Sequence, residues 1–181
     1  MGMPHTKRVT GIATSTGFTV VELMVTLAVA AILLSLGIPS FQSTAANSRL
    51  TTQANEMVTL FSLARSEAIN RRTEVRVVPT NSADWSQGLS VIADANKDGD
   101  YTDNEDLLRL SSPLEGESIL TADVSNNLTN PYIAFNSRGV LQPVGDTFAY
   151  QLTAPACTGS QIRAITVATT GRISASRLEC P

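Results

Sequence analysis

From Phe18 to Ile38 the chain runs for 21 residues with a single charge, that of Glu22. As an α-helix this run spans about 30 Å, the hydrocarbon thickness of a bilayer. Lys7 and Arg8 are the only permanent charges ahead of it. By the positive-inside rule they place the start of the chain in the cytoplasm and the remainder outside. An ordinary secretory signal carries its small-residue cleavage site after the apolar core. Here the small residue, Gly17, comes first. A cut after Gly17 would remove the charged leader and keep the helix.

That order, Gly17-Phe18-Thr19-Val20-Val21-Glu22 and then an apolar stretch, resembles the class III (prepilin) signal of type IV pilins and type II secretion pseudopilins. The resemblance implies cleavage after Gly17 by prepilin peptidase and N-methylation of the new terminus, Phe18. Pro39 follows where pilins commonly carry a proline that kinks or locally melts the helix, since proline removes a backbone hydrogen bond. Glu22 needs a physical account, because a carboxylate in hydrocarbon costs about 3 kcal/mol or more. The resemblance implies that it meets the Phe18 amine of a neighbouring subunit. Such a pair neutralises both charges only in the assembled filament and so sets register. The plainer alternative is a side chain that snorkels to the nearby interface.

Beyond Pro39 a helical pattern resumes. Leu50, Ala54, Met57, Val58, Phe61, Ala64 and Ala68 recur in steps of three and four and mark one apolar stripe, expected to pack on a sheet. Arg49, Gln53, Glu56, Arg65 and Asn70 are expected on the other side. Glu67 and Arg71 are four apart and can pair, and Arg71-Arg72 suits a helix C-terminus. The stretch Leu63-Ala64-Arg65-Ser66-Glu67-Ala68 with Arg71-Arg72 is similar to the GspH/FimT group of minor pilins and pseudopilins. Arg65 and Glu67 themselves read as solvated charges.

From residue 74 the period changes. Short strands are expected at 75–79, 85–93, 107–110, 119–124, 132–135, 148–152 and 162–169, with 79–88 and 125–131 as loops. With no second helix, the fold class is α+β: a long N-terminal helix packed on a mostly antiparallel β-sandwich or pair of small sheets. The expected division is a leader at 1–17, a membrane and filament-core helix at 18–45, and an amphipathic helix plus periplasmic β-rich head at 46–181.

A net charge of −3, or −5 once Lys7 and Arg8 are removed, argues against nonspecific coating of nucleic acid. The two cysteines, Cys157 and Cys180, form a disulfide if the head is exported. The enclosed loop of about two dozen residues would stabilise the fold by roughly 3 kcal/mol. The alternative is two buried thiols.

Two further features suggest ligands. Asp94, Asn96, Asp98, Asp100 and Glu105 follow the calcium-loop spacing around Gly99. Strand patterns rather than helices flank them, and Asp, Asn and Gly are equally the residues of an acidic hairpin tip. The C-terminal end is locally basic: Arg138, Arg163, Arg172 and Arg177 stand against Asp146 and Glu179. Gly171-Arg172 resembles the start of the Gly-Arg-x-Arg motif of FimT-type minor pilins, which bind DNA in natural transformation. Ser174 replaces the second arginine, and Arg177 follows three residues later. Arg163, Arg172 and Arg177 are the candidate phosphate contacts.

Catalysis has little support. The one histidine, His5, lies in the leader, and no nucleophile elbow, metal-binding histidine cluster or phosphate loop is present. The sequence reads as a non-catalytic subunit of a type IV pilus or type II secretion filament. It would associate with other pilins or pseudopilins, sit in the bacterial inner membrane before assembly, and need no cofactor beyond the candidate calcium. A DNA-binding subunit for uptake is the alternative.

Overall fold

In this computed structural model the described residues are 17–81, 84–96, 101, 107–116, 118–122, 132–142, 147–155 and 157–181, the side chains of 39 and 40 excepted. Regular structure begins at a threonine. The Glu22 N–H donates to the Thr19 hydroxyl oxygen at 3.1 Å, and the Leu23 N–H to the Thr19 carbonyl at 3.1 Å. The hydroxyl pairs one of the amide groups that a helix start leaves over. Glu22 stands in the first turn, where a carboxylate favours the positive end of the helix dipole. Helix α1 then extends from Val20 to Arg71, with Pro39 inside it. Arg72 adopts a left-handed conformation, φ 54°, which stops the helix.

The chain divides into two units, Met1–Phe41 and Gln42–Pro181. In the first, the described residues from Gly17 to Ile38 are exposed on every side of the helix. Its hydroxyls turn back onto the backbone: Thr26 Oγ1 donates to the Leu23 carbonyl at 2.8 Å and Ser35 Oγ to the Ile32 carbonyl at 2.7 Å. A helix that satisfies its own polar groups this way is suited to a solvent without hydrogen bonds.

In the second unit the rest of α1 packs with nine strands among the described residues. Strands β1 (Val75–Asn81), β2 (Asp84–Ala93), β3 (Leu107–Leu110), β5 (Ile133–Phe135) and β6 (Leu141–Gln142) form one sheet in the order β3-β2-β1-β5-β6. Strands β4 (Ile119–Ala122), β7 (Phe148–Thr153), β8 (Ile162–Val167) and β9 (Ile173–Leu178) form a second, in the order β4-β7-β8-β9. Every pairing among the described residues is antiparallel. The expected α+β class therefore holds, in its two-sheet form.

The core lies where the helix stripe meets both sheets. Leu50, Ala54, Met57, Phe61, Ala64 and Ala68 are buried, as their spacing foretells. Val75, Val77 and Val91 face them from the first sheet, and Tyr150, Leu152 and Ile165 from the second. Strand β7 shows the alternation most plainly: Phe148, Tyr150 and Leu152 are buried and the residues between are half-buried. Phe61 stacks on Tyr150 with ring centroids 6.3 Å apart, and Trp85 lies tilted on Tyr150 at 4.9 Å. Burial raises the Tyr150 pKa. Its hydroxyl has no hydrogen-bond partner among the described residues.

Several expectations need correction. Residues 79–81 and 84–88 are strand rather than loop: they belong to a β1–β2 pair whose register runs from Val75 opposite Ala93 to Asn81 opposite Asp84. Pro79 is accommodated by a register shift between Pro79 and Asn81. Strands β6 and β9 have no counterpart among the expected strands. The first has two residues, and the second, Ile-Ser-Ala-Ser-Arg-Leu, has little apolar alternation. Gln53 is buried rather than on the outer side, and its Nε2 donates to the Glu115 carbonyl at 2.9 Å. Leu60 is buried beside it, while Val58 is only half-buried. Residues 125–131 lie outside the described residues.

The aromatic cluster yields opposite outcomes for two truncations. Phe61→Ala should lower stability by about 3–5 kcal/mol, because it empties the point where helix and second sheet meet. Tyr150→Phe removes a buried hydroxyl without a partner and should be neutral or stabilise by about 1 kcal/mol. Urea unfolding of the two variants checks both.

Candidate functional site

Helix α1 presents the first candidate. Phe18 precedes the helix and is 79% exposed, and Glu22 follows one turn later, also exposed. Around them stand Val20, Val21, Met24 and Val25, each more than half exposed. An apolar surface of this extent, carrying one carboxylate, marks a place for lipid or for other helices. Thr19-Val-Val-Glu22 also has the spacing of a capping box, a signal the sequence reading passed over.

The C-terminal arginines do not form one patch. Arg163 is buried, at 3% exposure. In β8 it shares its inward face with Ile165 and Val167. Its guanidinium reaches α1: Nε and Nη2 donate to Thr51 Oγ1 at 3.3 and 3.1 Å, and Nη2 also to Asn47 Oδ1. Nη1 donates to the carbonyls of Ser160 at 2.9 Å and Ile162 at 3.2 Å. These acceptors are all neutral. Burial, and secondarily the neighbouring Arg177, lower the Arg163 pKa. Arg163 is thus withdrawn from the surface expected of a DNA contact. The parity of Ile165 and Val167 is the sequence signal that would have shown it. Arg177 stands opposite Arg163 in β9 and is exposed. Arg172 is exposed at the β8–β9 turn.

Gly171 carries a structural duty. Its φ of 75° is left-handed, and a Cβ there would stand 1.9 Å from the Gly139 carbonyl oxygen. Arg65 bridges the two turns: Nε donates to the Gly139 carbonyl at 3.0 Å and Nη2 to the Thr170 carbonyl at 3.2 Å. Asn136 Oδ1 shapes the first of these turns by accepting the N–H groups of Arg138 at 2.9 Å and Val140 at 3.1 Å. The Leu141 N–H donates to the Thr169 carbonyl at 3.1 Å. Arg65, expected as a solvated charge, is instead a clasp holding helix and both sheets together. Glu67 pairs with Arg71 at 2.7 Å, as its spacing suggests.

Cys157 and Cys180 are joined as a disulfide, with Cα atoms 5.8 Å apart. The Cys180 N–H donates to the Gly159 carbonyl at 2.8 Å, so the chain end is tied to the loop before β8. Of the candidate calcium ligands, Asp98, Asp100 and Glu105 lie outside the described residues. Asp94 is buried just after β2; its N–H donates to the Glu74 carbonyl at 3.1 Å, and its carbonyl accepts from Thr73 Oγ1. Asn96 follows and is exposed. Tyr101 lies on the Arg76 guanidinium, 3.8 Å from ring centroid to Cζ, and donates to Glu74 Oε1 at 3.1 Å. Tyr132 lies against the same guanidinium at 4.3 Å. Among the described residues no group of three or more histidines, cysteines or acids is placed to hold a metal.

A long helix with an exposed apolar first part, and a head of two antiparallel sheets on its second part, is the α+β architecture of type IV pilin-like proteins. Residues 53–171 match the family described as Type II transport protein GspH, and the chain belongs to that family. Among solved structures it is similar to the type IV minor pilin FimU of Pseudomonas aeruginosa in two crystal forms. The TM-scores are 0.57 and 0.54 at 20% identity, covering 71% and 70% of this chain and 89% and 91% of that one. It is also similar to the minor pseudopilin EpsH from the type 2 secretion system of Vibrio cholerae. There the TM-score is 0.50 at 14% identity, over 71% of this chain and 97% of that one. At these identities the likeness is one of fold. No curated protein sequence matches. By that family the protein is a type II transport protein of the pseudopilin kind, a structural rather than catalytic subunit. Its family implies association with other pilins in a filament. The N-terminal apolar helix is long enough to cross a membrane and is consistent with a single-pass inner-membrane pilin.

The clasp makes a graded prediction. Gly171→Ala should destabilise the head by about 1–3 kcal/mol from backbone conformation alone, and by more once the Gly139 carbonyl is displaced. Arg65→Ala should cost about 2 kcal/mol. Thermal unfolding should show Gly171→Ala combined with Arg65→Ala costing less than the sum, because both act on the same turn.

Proposed function

We propose that the chain is made as a prepilin and assembled as a minor subunit of a secretion or pilus filament. Residues 1–17 are the leader, prepilin peptidase cuts after Gly17, and Phe18 becomes the N-methylated terminus. Residues 18–45 anchor in the inner membrane and later join the filament's helical core, with Pro39 adjusting the helix there. The head, residues 46–181, stands in the periplasm, where oxidising conditions suit the Cys157–Cys180 bond. The observation that carries this reading is the apolar segment from Phe18 to Ile38, exposed on all sides and bearing Glu22 alone. Such a surface has a stable home in lipid, and a second in a bundle of like helices. Glu22 then pairs with the Phe18 amine of a neighbour.

Processing and pairing separate experimentally. Gly17→Glu should leave the leader attached, and Glu22→Ala should be cleaved normally yet enter filaments several-fold less. Mass spectrometry of the membrane-extracted chain reads the first, and immunoblotting of sheared filaments the second. A Gly17→Glu chain beginning at Phe18 would sink the signal assignment, and normal incorporation of Glu22→Ala would sink the pairing role.

DNA binding in uptake is the second reading, favoured by the exposure of Arg172 and Arg177. With Arg163 buried, two arginines remain there. Contact through two phosphates limits the slope of log affinity against log salt to about −2. Arg172→Ala with Arg177→Ala should remove it. A slope much steeper than that would mean that cations elsewhere on the head carry the binding.

A further inference from the structure

Strand β9 lies at the edge of its sheet and pairs on one side with β8. With six residues it is longer than the other edge strands among the described residues, β3 and β4 with four each and β6 with two. Natural edges are guarded by proline, by lysine or by a bulge. The run from Ile173 to Leu178 has no proline and no lysine, and its register with β8 continues without a shift. Every residue from Ala175 to Leu178 is exposed. Ser174, Ala175 and Ser176 carry small side chains, so a further strand can approach unobstructed.

The ladder with β8 fixes which main-chain groups are open. The Ala168 N–H donates to the Arg172 carbonyl at 2.9 Å. In an antiparallel register, facing residues alternate between bonded and non-bonded pairs. The bonded pairs are therefore Thr166 with Ser174, Ala164 with Ser176 and Ile162 with Leu178. Ile173, Ala175 and Arg177 turn their N–H and C=O groups to the open side. Among the described residues no other strand meets them.

Each face of this edge borders a recess. On the inner face, Ala175 and Arg177 share one of about 190 Å³ with Thr51, Ala54 and Asn55 of α1. On the outer face, Leu178 and Glu179 line a groove of about 530 Å³ with Ile119 and Ile162. Ile119 and Leu178 leave 46% and 41% of their surface open. The side chains of an added strand point to the two faces by turns, so both recesses receive them.

Charge selects the occupant. Arg163 and Arg177 stand opposite one another on the inner face, and neither takes part in an ion pair among the described residues. Arg163 already gives its N–H groups to Asn47, Thr51, Ser160 and Ile162. Arg177 is the exposed cation, and no carboxylate lines the inner recess. A carboxylate on the incoming strand would balance it, whereas a second copy of β9 would bring another arginine.

We propose that β9 is a docking edge for an extended segment of another polypeptide, which adds to the second sheet beside it. The segment's main chain bonds Ile173, Ala175 and Arg177, an acidic side chain meets Arg177 on the inner face, and an apolar one lies on Leu178 on the outer face. This edge belongs wholly to the Gln42–Pro181 unit, so the docking holds whether or not the leader is cut or residues 18–38 lie in a membrane.

The test follows amide hydrogen exchange by NMR in the full chain, held in maltoside micelles. The probe is a short peptide of alternating valine and threonine with one central glutamate. A second version is N-methylated on alternate residues, which removes the N–H groups from one side of its strand and keeps every side chain. A third carries lysine for glutamate. The first should slow exchange at the Ile173, Ala175 and Arg177 N–H groups by about tenfold or more. The N-methylated peptide should leave exchange unchanged, and the lysine peptide should bind about fivefold more weakly. Arg177→Glu should reverse the order of the glutamate and lysine peptides. Ala175→Pro removes an outward N–H and spares the bonds to β8, so it should unfold at the same temperature as the unaltered chain and lose the peptide. The N-methylated peptide puts the same question to the unaltered chain, should that variant not fold. Unchanged exchange with the first peptide, equal protection by the N-methylated one, or equal affinity for the lysine one overturns the proposal. Protection that grows with chain concentration alone assigns the edge to a second copy, and protection by a single-stranded oligonucleotide instead of the peptide assigns it to nucleic acid; either result overturns it too.

Discussion

The head depends on one side of one helix touching two sheets at once. The two sheets share no strand, and each is too small to bury its own apolar face. Phe61, Ala64 and Ala68 bring the helix close enough to meet Val75 and Val77 on one sheet and Ile165 and Val167 on the other. The alanines matter because they let the backbone approach, while Phe61 fills the wedge beside Tyr150. On one flank of the apolar stripe, Arg65 continues the junction with hydrogen bonds to the turns of both sheets. Below it, Arg163 does the converse, reaching from the second sheet to Asn47 and Thr51 of the helix. Apolar contact sets the join, and two arginines fix its register.

Much of this arrangement was legible because it follows simple periods. The stripe from Leu50 to Ala68 repeats every three or four residues, and Phe148, Tyr150 and Leu152 repeat every two. What was missed lies at the margins of those periods. Gln53 and Leu60 flank the stripe, so whether they are covered depends on how wide the opposing sheet is, which a helical wheel does not state. Arg65 flanks it on the opposite side and keeps its stem on apolar surface while its head finds carbonyls. Strand β9 escaped because an edge strand is held by its neighbour's backbone rather than by apolar side chains. Arg163 escaped because its charge was given more weight than its position, one alternation before Ile165.

The same distinction separates the two kinds of site. The N-terminal segment announces itself through order: a small residue, an aromatic residue, a threonine and a carboxylate, and then a mostly apolar run without another charge. Nothing in that segment requires a tertiary fold, so the sequence carries nearly all of its information. The arginine recess requires strand pairing to bring residues 163 and 177 together and helix packing to bring residues 47 and 51 to them. Its parts are scattered over more than a hundred residues, and only the fold assembles them.

On the proposed reading the chain lives successively in two surroundings, lipid and a bundle of like helices, and its charges are divided accordingly. The apolar helix has one carboxylate and lets lipid exchange for neighbouring helices at little cost, since both are apolar. The head holds its buried cation on neutral oxygens, so that the surface near the helix stays positive although the chain as a whole is acidic. A buried Arg163 with a carboxylate beside it would be equally well packed and would leave Arg177 alone. Among the described residues no carboxylate stands beside it, and the disulfide-tied loop of Cys157 to Gln161 is joined to the helix through the Gln161 hydrogen bond to the Ser43 carbonyl. The device that joins sheet to helix is therefore also the one that leaves a buried cation among neutral oxygens beside the exposed Arg177.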